Sequence, residues 1–282
     1  LKNQWRTVII GTTGRAGNIG NDQTGKAIFA LDVTDPSNLG SSSLLWEISH
    51  DDVGQITSPP VIARLDDGEW YAIFGNGYNS ANDRAALIRV KLEDGTVTVI
   101  PGTSSASPNG LAGPLVWDLN GDGSADTAYA GDLEGNVYKF DLINTASTPQ
   151  IIYVAKDASG RRQPITAGMT GTEDDNGDTW IHFGTGKYLS IADMSNRDTQ
   201  SWYGLKAEDI TSLNTRADLK ERTISSGSSL GDFTARTVSE AVSGDMANKK
   251  GWFIDFNASD APGERIVLPS QIRGDVLIGY TV

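Results

Sequence analysis

Residues 127–142 read TAYAGDLEGNVYKFDL, two short runs of small apolar, β-branched and aromatic residues on either side of a turn rich in Gly and Asp. Runs of this kind, bounded by Gly, Asn, Asp and Ser, are typical of β-strands rather than of helices. The first run ends in Gly131 and an aromatic run follows it. This unit, a strand that ends in glycine and leads to an aromatic strand, decides the fold.

The same unit recurs along the chain. It appears as TVIIGTTG before AIFALDV, as YAIFGNGYNS before ALIRVKLEDG, and as IHFGTGKYLS before SWYGLKAED. The glycines that end the first strands are Gly11, Gly75, Gly131 and Gly184, spaced by 64, 56 and 53 residues. A period of about 50 residues with four short strands per unit is typical of β-propeller blades. We therefore predict an all-β fold, a modified β-propeller with blades of about four antiparallel strands, four to five of which are recognisable.

The organisation of the chain follows from the same pattern. A fold of this class can form one domain of 282 residues, and we predict a single propeller domain over residues 1–282. Only WYGLKAEDITSLNT (202–215) predicts a short helix. The start, LKNQWRTVII, has no signal-peptide pattern, and the strand DVLIGYTV runs to the last residue. We expect this domain to be the C-terminal part of a longer exported protein.

Composition excludes several classes of function. The net charge of −13 and the pI of about 4.5 make nucleic acids and anionic membranes poor partners, because binding them requires clustered Lys and Arg. The chain has no Cys, which excludes disulfides, thiolate zinc sites and thiol catalysis. No run reaches the roughly 18 apolar residues of a membrane-spanning helix, so none is predicted.

The strongest candidate site lies in DLNGDGSADTAYAGD (118–132). Its predicted ligands alternate along a tight loop and are Asp118, Asn120, Asp122, the backbone carbonyl of Ser124, and Asp126. Side chains on alternate residues of such a loop can turn inward together, and two intervening glycines allow the necessary backbone turns. Three crowded carboxylates favour a hard divalent cation, and an irregular oxygen shell suits Ca²⁺ better than Mg²⁺. The sequence predicts a calcium site.

This loop differs from an EF-hand in two respects. Position 12 is Tyr129 instead of a bidentate Glu, and the flanking segments are predicted strands instead of helices. The alternative is an ordinary turn stabilised by Asp and Asn side chains. A second acidic stretch, TEDDNGDTW (172–180), lacks the alternate spacing and contains Asn-Gly, a strong hairpin signal, so we predict a turn there.

Several motifs together resemble a known family. FGNGYNS (74–80), DLNGDGSADTAYAGDLEGNVYKFDL (118–142) and FGTGKYL (183–189) are similar, in order and spacing, to the C-terminal β-propeller of the PilY/PilC-type pilus-tip proteins of bacterial type IV pili. The resemblance covers most of residues 5–190, and ERIVLPSQIRGDVLIGYTV (264–282) fits the final part of that domain. The combination of motifs is specific, whereas no single motif would be.

The resemblance implies a calcium-binding propeller of a type IV pilus biogenesis and tip-adhesin protein. In that family the calcium loop governs pilus extension and retraction, and so twitching motility and surface adhesion linked to virulence. It implies minor pilins at the pilus tip as partners, with a host-cell surface as a further candidate. The implied location is the cell surface and fimbrium, associated with the outer membrane after export through the periplasm. The family's N-terminal region and Cys-containing tail are missing here, so host-binding functions located there do not carry over.

The alternative is a quinoprotein-type dehydrogenase that uses pyrroloquinoline quinone. AIFALDVTDP…LLWEIS (27–49) is similar to the blade signature of such propellers, in which Trp46 would dock one blade onto the next. A cofactor-facing acid at the propeller centre is not recognisable. The chain has only two His, His50 and His182, and no paired nucleophile and base, so we predict that it is not an enzyme. The stretch SHDD (49–52) is interpreted as a solvated turn.

Two further features have plain structural interpretations. Arg273, Gly274 and Asp275 form an Arg-Gly-Asp sequence, but Gly-Asp at this place predicts a hairpin turn more readily than an adhesive site. Five tryptophans near predicted strands are interpreted as packing between blades rather than as a sugar-binding platform. They are Trp5, Trp70, Trp117, Trp180 and Trp252.

Overall fold

The structure, a computed structural model, describes residues 5–15, 25–104, 106, 108–230, 233–257 and 262–282. The residues LKNQ, part of the segment without a signal-peptide pattern, lie outside the described residues. The chain forms two compact units, Leu1–Asp132 with Tyr138–Gln150, and Leu133–Val137 with Ile151–Val282. The prediction of one domain over residues 1–282 stays a prediction.

The strands up to residue 154 form three sheets in which consecutive strands are neighbours. Sheet 1 has the order β1-β2-β3, with β1 Val8–Thr12, β2 Ile28–Asp32 and β3 Leu44–Ile48. Sheet 2 has the order β4-β5-β6-β7, with β4 Val61–Arg64, β5 Trp70–Gly75, β6 Ala86–Lys91 and β7 Val97–Pro101. Sheet 3 has the order β11-β10-β9-β8, with β8 Leu115–Trp117, β9 Thr127–Gly131, β10 Asn136–Asp141 and β11 Gln150–Val154.

The strands after residue 154 form one larger sheet and two hairpins. They are β12 Thr170–Glu173, β13 Thr179–Gly184, β14 Gln200–Lys206, β15 Lys220–Arg222, β16 Ile224–Leu230, β17 Phe233–Val238, β18 Gly251–Phe256, β19 Gln271–Arg273 and β20 Val276–Ile278. Sheet 4 has the order β12-β13-β14-β18-β15, in which β15 runs parallel to β18. Strands β16 and β17 pair with each other, as do β19 and β20.

Helix is confined to short 3-10 turns in the described part of the chain. They span Ser41–Ser43, Ile191–Ser195 and Arg216–Asp218. None of these helices is long and apolar enough to cross a membrane.

One backbone hydrogen bond recurs at the start of β1, β5, β9 and β13. The bonds run from Val33 N to Thr7 O (2.8 Å), from Leu92 N to Trp70 O (2.9 Å), from Leu142 N to Asp126 O (2.8 Å) and from Ala207 N to Thr179 O (2.8 Å). The four acceptors therefore occupy equivalent places, at or immediately before the first residue of these strands. The residue five positions after each acceptor is Thr12, Gly75, Gly131 and Gly184 in turn, so these four residues are equivalent.

The predicted glycine repeat is thus wrong by one residue in sheet 1. A Cβ at Gly75 would lie 1.8 Å from the carbonyl oxygen of Ala112, and a Cβ at Gly184 would lie 2.2 Å from Cβ of Ile266, so only glycine fits at either place. In sheet 1 this place is open enough for Thr12, whose hydroxyl donates to the carbonyl of Ile56 at 3.1 Å. The neighbouring Gly11 instead lies against the ring of Phe29.

The core of the first unit lies between the facing sides of sheets 1 and 2. It contains Ile28, Ala30 and Trp46 from sheet 1 and Ala72, Phe74, Ile88 and Val90 from sheet 2. Trp46 is 8% exposed, and its indole Nε1 donates to the carbonyl of Leu92 at 3.2 Å. Trp46 therefore docks one sheet onto the next, which confirms the structural interpretation of its motif.

The core of the second unit is aromatic. Tyr203 in β14 lies between Phe183 and Phe253, with ring centroids 5.2 and 6.2 Å away. The Arg216 guanidinium covers the Phe253 ring at 3.8 Å and pairs with Asp255 at 2.5 Å. Planar stacking and a paired charge allow this Arg to be half-buried without an unpaired cation.

The prediction of a short helix within residues 202–215 is wrong. Residues up to Lys206 belong to β14, which pairs on both sides, with β13 and with β18. Tyr203 and Leu205 are fully buried on alternate positions of this strand, and residues 207–215 form turns. Strand pairing on both sides outweighs the helical propensity of a short Leu-, Ala- and Glu-containing segment.

We expect the buried His182 to make stability depend on pH. Its Nε2 lies 2.9 Å from the hydroxyl of Thr172, its ring is 6.3 Å from that of Trp180, and burial lowers its pKa to about 4. Between pH of about 6.5 and 4 the unfolded chain binds a proton that the folded chain does not, so stability falls as pH falls through this window, by about 3 kcal/mol in total. In urea unfolding from pH 7.5 to 4, His182→Phe should show a shallower decline than the wild type.

The variant keeps an aromatic ring beside Trp180 and Trp252, so the difference in pH dependence isolates the titrating group. A loss of stability that is equal at every pH would mean that His182 contributes packing only. Parallel declines in the two proteins would contradict the prediction.

Candidate metal centre

The acidic loop joins two neighbouring strands of sheet 3. It occupies residues 118–126, between the end of β8 at Trp117 and the start of β9 at Thr127. Its glycines, Gly121 and Gly123, have φ of 74° and 87°, and no atom lies within 4 Å of a Cβ built on either. Glycine is needed here for the left-handed backbone and not for lack of space. The loop can therefore turn tightly enough for its alternate side chains to point inward.

The first predicted ligand organises the loop backbone. The Asp118 carboxylate accepts hydrogen bonds from the N–H groups of Gly121 and Gly123, both at 2.7 Å. The amide oxygen of Asn120 accepts from Asp122 N at 2.9 Å, and a carboxylate oxygen of Asp122 accepts from Ser124 N at 2.8 Å. Each polar side chain caps a backbone group two or more residues further on, as Asp and Asn do in tight turns. The structure thus brings these predicted residues together in one loop.

Asp126 closes the loop from its other end. The Asp126 side chain is buried, with 8% of the residue exposed, and its Oδ2 accepts from the N–H groups of Leu119 and Asn120 at 3.1 and 3.3 Å. Its second oxygen, Oδ1, is buried and has no hydrogen-bond partner within the described residues. A buried carboxylate oxygen without a partner is costly, because its desolvation is uncompensated. A cation that binds it would remove that cost.

Asp66 is a neighbour of this loop that the sequence pattern does not reveal. It follows β4, whose last residue, Arg64, accepts a hydrogen bond through its carbonyl from Ala125 N at 2.8 Å. The pKa of Asp66 is raised. The largest cause is partial desolvation, and the nearby carboxylates of Asp122, Asp126 and Asp118 raise it further. A fourth carboxylate therefore adds to the negative potential of the loop. The acidic turn DDGE after a strand is the only signal in the sequence, and it does not indicate the partner loop.

The oxygen atoms that could bind a metal at this loop belong to different chemical groups. Within the described residues, no three His, Asp or Glu side chains converge as a metal-binding cluster. A metal shell at this loop would therefore draw on the amide oxygen of Asn120, the carbonyl of Ser124 and water as well as on carboxylates. Oxygen donors of this kind, with an irregular arrangement, fit Ca²⁺.

The other acidic stretch folds as predicted. Between β12 and β13, Asp174 N donates to Asp178 O at 3.1 Å, and Gly177 has φ of 83°. One carboxylate oxygen of Asp174 accepts from Asn176 N and Asp178 N, and the other accepts from the indole of Trp180 at 3.0 Å. The hairpin turn is confirmed.

The stretch at 49–52 is only partly a solvated turn. Asp52 is 1% exposed and binds the Arg84 guanidinium through two hydrogen bonds of 2.8 and 2.9 Å. His50 accepts from the Asp52 backbone N–H through Nδ1 at 3.1 Å. The solvated interpretation is therefore wrong for Asp52, which is a buried ion-pair residue, because Arg84, 32 positions away, reaches it in the fold.

Two remaining predictions concern the Arg-Gly-Asp sequence and the tryptophans. Arg273 pairs with Val276 across the β19–β20 hairpin, and Gly274 has φ of 58°, so the hairpin turn is confirmed. The packing interpretation is wrong for Trp5 and Trp70, which are 101% and 53% exposed. Both tryptophans line a groove beside the first strand.

Three sheets of consecutive antiparallel strands and a fourth sheet of five strands, with the acidic loop between β8 and β9, fit an all-β protein of the β-propeller class. The sequence model of the PilY1 β-propeller domain matches residues 1–151. A type IV pilus biogenesis factor PilY1 homolog of Xylella fastidiosa is 38% identical over 283 residues, which cover 98% of this chain and 22% of the relative. The chain belongs to the PilY1 β-propeller family, and the predicted family and fold class are confirmed.

Two further comparisons agree with this assignment. The type IV pilus biogenesis factor PilY1 of Pseudomonas aeruginosa strain PAO1 is 36% identical over 328 residues, which cover 99% of this chain and 27% of the relative. The crystal structure of the Pseudomonas aeruginosa PilY1 C-terminal domain matches with a TM-score of 0.80 and 33% identity, over 99% of this chain and 64% of that chain. This chain spans about a quarter of the length of these curated relatives.

Proposed function

We propose that this chain is the calcium-binding regulatory propeller of a type IV pilus biogenesis factor, and that one Ca²⁺ binds at the loop of residues 118–126. The ligands are Asp118, Asn120, Asp122, the Ser124 carbonyl and Asp126. The observation that carries this proposal is the buried, unpartnered Oδ1 of Asp126. Its companion oxygen, Oδ2, already accepts hydrogen bonds from two loop N–H groups, which hold this carboxylate against the loop.

Electrostatics also favours a cation at this loop. The carboxylates of Asp118, Asp122 and Asp126 contribute to the raised pKa of nearby Asp66, so this loop has a negative potential, in a chain with a net charge of −13. A divalent cation is attracted to such a loop. Because the loop lacks a bidentate Glu at its twelfth position, we expect a dissociation constant on the order of 10⁻⁶ to 10⁻⁴ M.

We propose that calcium occupancy regulates pilus extension and retraction, and through them twitching motility and surface adhesion. The loop joins two strands, so bound metal stabilises this end of sheet 3 without a change of fold. Minor pilins at the pilus tip, at the cell surface, are the proposed partners. We also expect the chain to have no catalytic activity, so that it acts by binding alone.

The direct test is a calorimetric titration of the chain with CaCl₂ after treatment with a chelator, and in parallel with MgCl₂. One calcium site with a dissociation constant in the stated range supports the proposal, together with magnesium binding at least tenfold weaker. An absence of calcium binding up to about 10 mM, the weak limit of extracellular protein sites, would reduce the loop to an ordinary acidic turn.

Replacing Asp66 by Asn should weaken calcium binding by roughly three- to tenfold. Asp66 is exposed and acts on the loop carboxylates through its charge, and loss of one nearby negative charge lowers the attraction for a cation modestly. The affinity loss should shrink at 0.5 M NaCl, because salt screens exposed charges. Calorimetry at two salt concentrations measures both effects.

Asp35→Asn is the matched control for charge. Asp35 is exposed and caps another turn, where its carboxylate accepts from Ser37 N at 3.1 Å. The Asp35→Asn substitution should leave calcium affinity unchanged. Equal losses in the two variants would mean that only net charge matters and that Asp66 has no specific place beside the loop.

A further inference from the structure

The loop of residues 118–126 contains a sequence that can modify itself, Asn120 followed by Gly121. In an Asn-Gly sequence the glycine nitrogen can attack the side-chain amide carbon of asparagine, which releases ammonia and leaves a cyclic imide. Glycine favours this attack because it has no Cβ to hinder its nitrogen. Water then opens the imide to aspartate, or to isoaspartate, in which the backbone passes through the side chain. The chain has four asparagines followed by glycine, which are Asn76, Asn109, Asn120 and Asn176.

Two of these four asparagines are buried and held in place. Asn76 is 0% exposed, and its amide oxygen accepts from Ala86 N and Leu111 N, both at 3.0 Å. Asn109 is 1% exposed, and its amide nitrogen donates to the carboxylate of Asp132 at 2.9 Å. Rotation of either amide toward the following glycine would leave buried polar groups unpaired, which is costly. We expect neither to react in the folded chain.

Asn120 is exposed, and its neighbours supply both groups that assist this reaction. The N–H of Gly121 donates to a carboxylate oxygen of Asp118 at 2.7 Å, so a base lies at the nitrogen that must lose its proton. The amide oxygen of Asn120 accepts from Asp122 N at 2.9 Å, so a donor lies at the oxygen that becomes negative during the attack. This second hydrogen bond closes a ring that includes both Gly121 N and Cγ of Asn120. The ring limits how far the two reacting atoms can separate.

The other exposed sequence, Asn176 and Gly177, lacks these contacts. Gly177 N donates to the backbone carbonyl of Asp174 at 2.9 Å, and a peptide carbonyl is a far weaker base than a carboxylate. Among the described residues Asn176 donates through its backbone N–H to Asp174, and its side-chain amide has no hydrogen bond. The two sites share sequence and exposure and differ in their neighbours, so each is a control for the other.

We propose that Asn120 is a self-modification site, which converts to aspartate and isoaspartate in the folded chain. Asp118 takes the proton of Gly121 N as the bond from this nitrogen to Cγ of Asn120 forms, and the N–H of Asp122 holds the oxygen that carries the negative charge. The amide nitrogen then leaves with that proton as ammonia. Water is the only other reactant, and it opens the imide to leave a carboxylate. The reaction occurs once per chain and involves no turnover.

The consequence for metal binding rests on the proposed function. Aspartate at position 120 replaces an amide ligand by a carboxylate and strengthens the attraction for a divalent cation. Isoaspartate lengthens the backbone inside the loop and displaces the ligands on either side of it. Bound calcium would engage the Asp118 carboxylate and fix the loop, so calcium should slow the reaction. The modification would therefore change calcium affinity in chains that have been without calcium.

The test is peptide mapping by mass spectrometry of the folded 282-residue chain, sampled over time at neutral pH in a chelator. One digest reports all four asparagines, and an isoaspartyl methyltransferase assay identifies the second product. We expect Asn120 to be lost at least about tenfold faster than Asn176, the lower range of what a positioned base contributes. Asn76 and Asn109 should stay unmodified. Loss of Asn120 no faster than that of Asn176 would overturn the proposal.

Asp118→Asn removes the base and keeps a side-chain oxygen that can accept the Gly121 N–H. It should slow the loss of Asn120 by about tenfold or more. A loop that only lost its order would react faster, so an equal or faster rate would overturn the proposal. Asp174→Asn is the matched control, because Asp174 caps its turn through Asn176 N and Asp178 N but its carboxylate does not hold Gly177 N. It should not slow the loss of Asn176.

Repeating the time course with CaCl₂ separates this inference from the proposed function. Slower loss of Asn120, with no change at Asn176, supports both. Fast loss of Asn120 at the same rate with and without calcium supports the self-modification site and counts against the metal site. A stable Asn120 in the chelator, in a chain that binds calcium by calorimetry, overturns the self-modification site and retains the metal site.

Discussion

Replacing Asp122 by Ala is expected to abolish the stabilisation by calcium that we propose for this propeller. At a hundredfold excess of calcium over its dissociation constant, binding to the folded state alone adds roughly 2.7 kcal/mol to the free energy of unfolding. For a chain of this size that corresponds to a rise in melting temperature of roughly 5–10 °C. Asp122 lies at the centre of the loop and is exposed, and within the described residues its side chain accepts a hydrogen bond only from Ser124 N, so its removal leaves the sheet intact.

The measurement is the difference in melting temperature between calcium and chelator, taken for each protein separately. We expect several degrees for the wild type and none for Asp122→Ala. Asp35→Ala is the control, because Asp35 likewise caps the residue two positions on, Ser37, in an exposed turn. It should lose the same small amount of stability with or without calcium and keep the calcium response. An unchanged calcium response in Asp122→Ala would overturn the proposed site.

The same substitution tests the proposed regulation in the longer protein. In the source organism, Asp122→Ala should impair twitching motility while the protein remains present and folded. Normal motility together with lost calcium binding would retain the metal site and reject its regulatory role. The two proposals are therefore separable by experiment.

Replacing Gly75 by Ala is expected to destabilise the first unit by roughly 3–5 kcal/mol or to prevent folding, more than the roughly 1–3 kcal/mol of ordinary overpacking, because the clash is with backbone atoms. The added Cβ would lie 1.8 Å from the carbonyl oxygen of Ala112 and 2.6 Å from that of Leu111. These are backbone atoms held in place, since Ala112 N donates to Gly131 O at 2.9 Å and Leu111 O accepts from Gly77 N at 3.0 Å. The neighbouring segment cannot move aside without losing those bonds.

Gly40→Ala separates this steric effect from the general effect of removing a glycine. Gly40 has φ of −161° and no atom within 4 Å of a built Cβ. We expect it to be neutral or to stabilise the chain by a few tenths of a kcal/mol through the unfolded state. Urea unfolding followed by Trp fluorescence gives both values. A loss below about 1 kcal/mol for Gly75→Ala, the size typical of any point substitution, would mean that the close packing at Ala112 is not required.

The loop at residues 118–126 illustrates how much of the site can be predicted from local sequence. The alternation of Asp and Asn with two glycines is sufficient to predict a tight loop, and in the structure the side chains of Asp118, Asn120, Asp122 and Asp126 accept hydrogen bonds from its backbone. Metal binding by these residues stays a prediction. Asp66 could not be predicted, because 52 positions separate it from Asp118 and its proximity depends on the pairing of β4 beside this loop.

The repeat of strands and glycines determined, by itself, that this protein is a propeller built from similar blades. Apolar periodicity and turn chemistry are local properties, and they recur once per blade. Only the tertiary structure decided that Thr12 and not Gly11 holds the equivalent place in sheet 1, that Arg84 pairs with the buried Asp52, and that Trp70 faces an open groove. Each depends on strand register or on contact between distant segments. A shift of one residue in register turns every side chain of a strand to the opposite face. A pattern of residue types in the sequence is too coarse to distinguish two registers that differ by one residue.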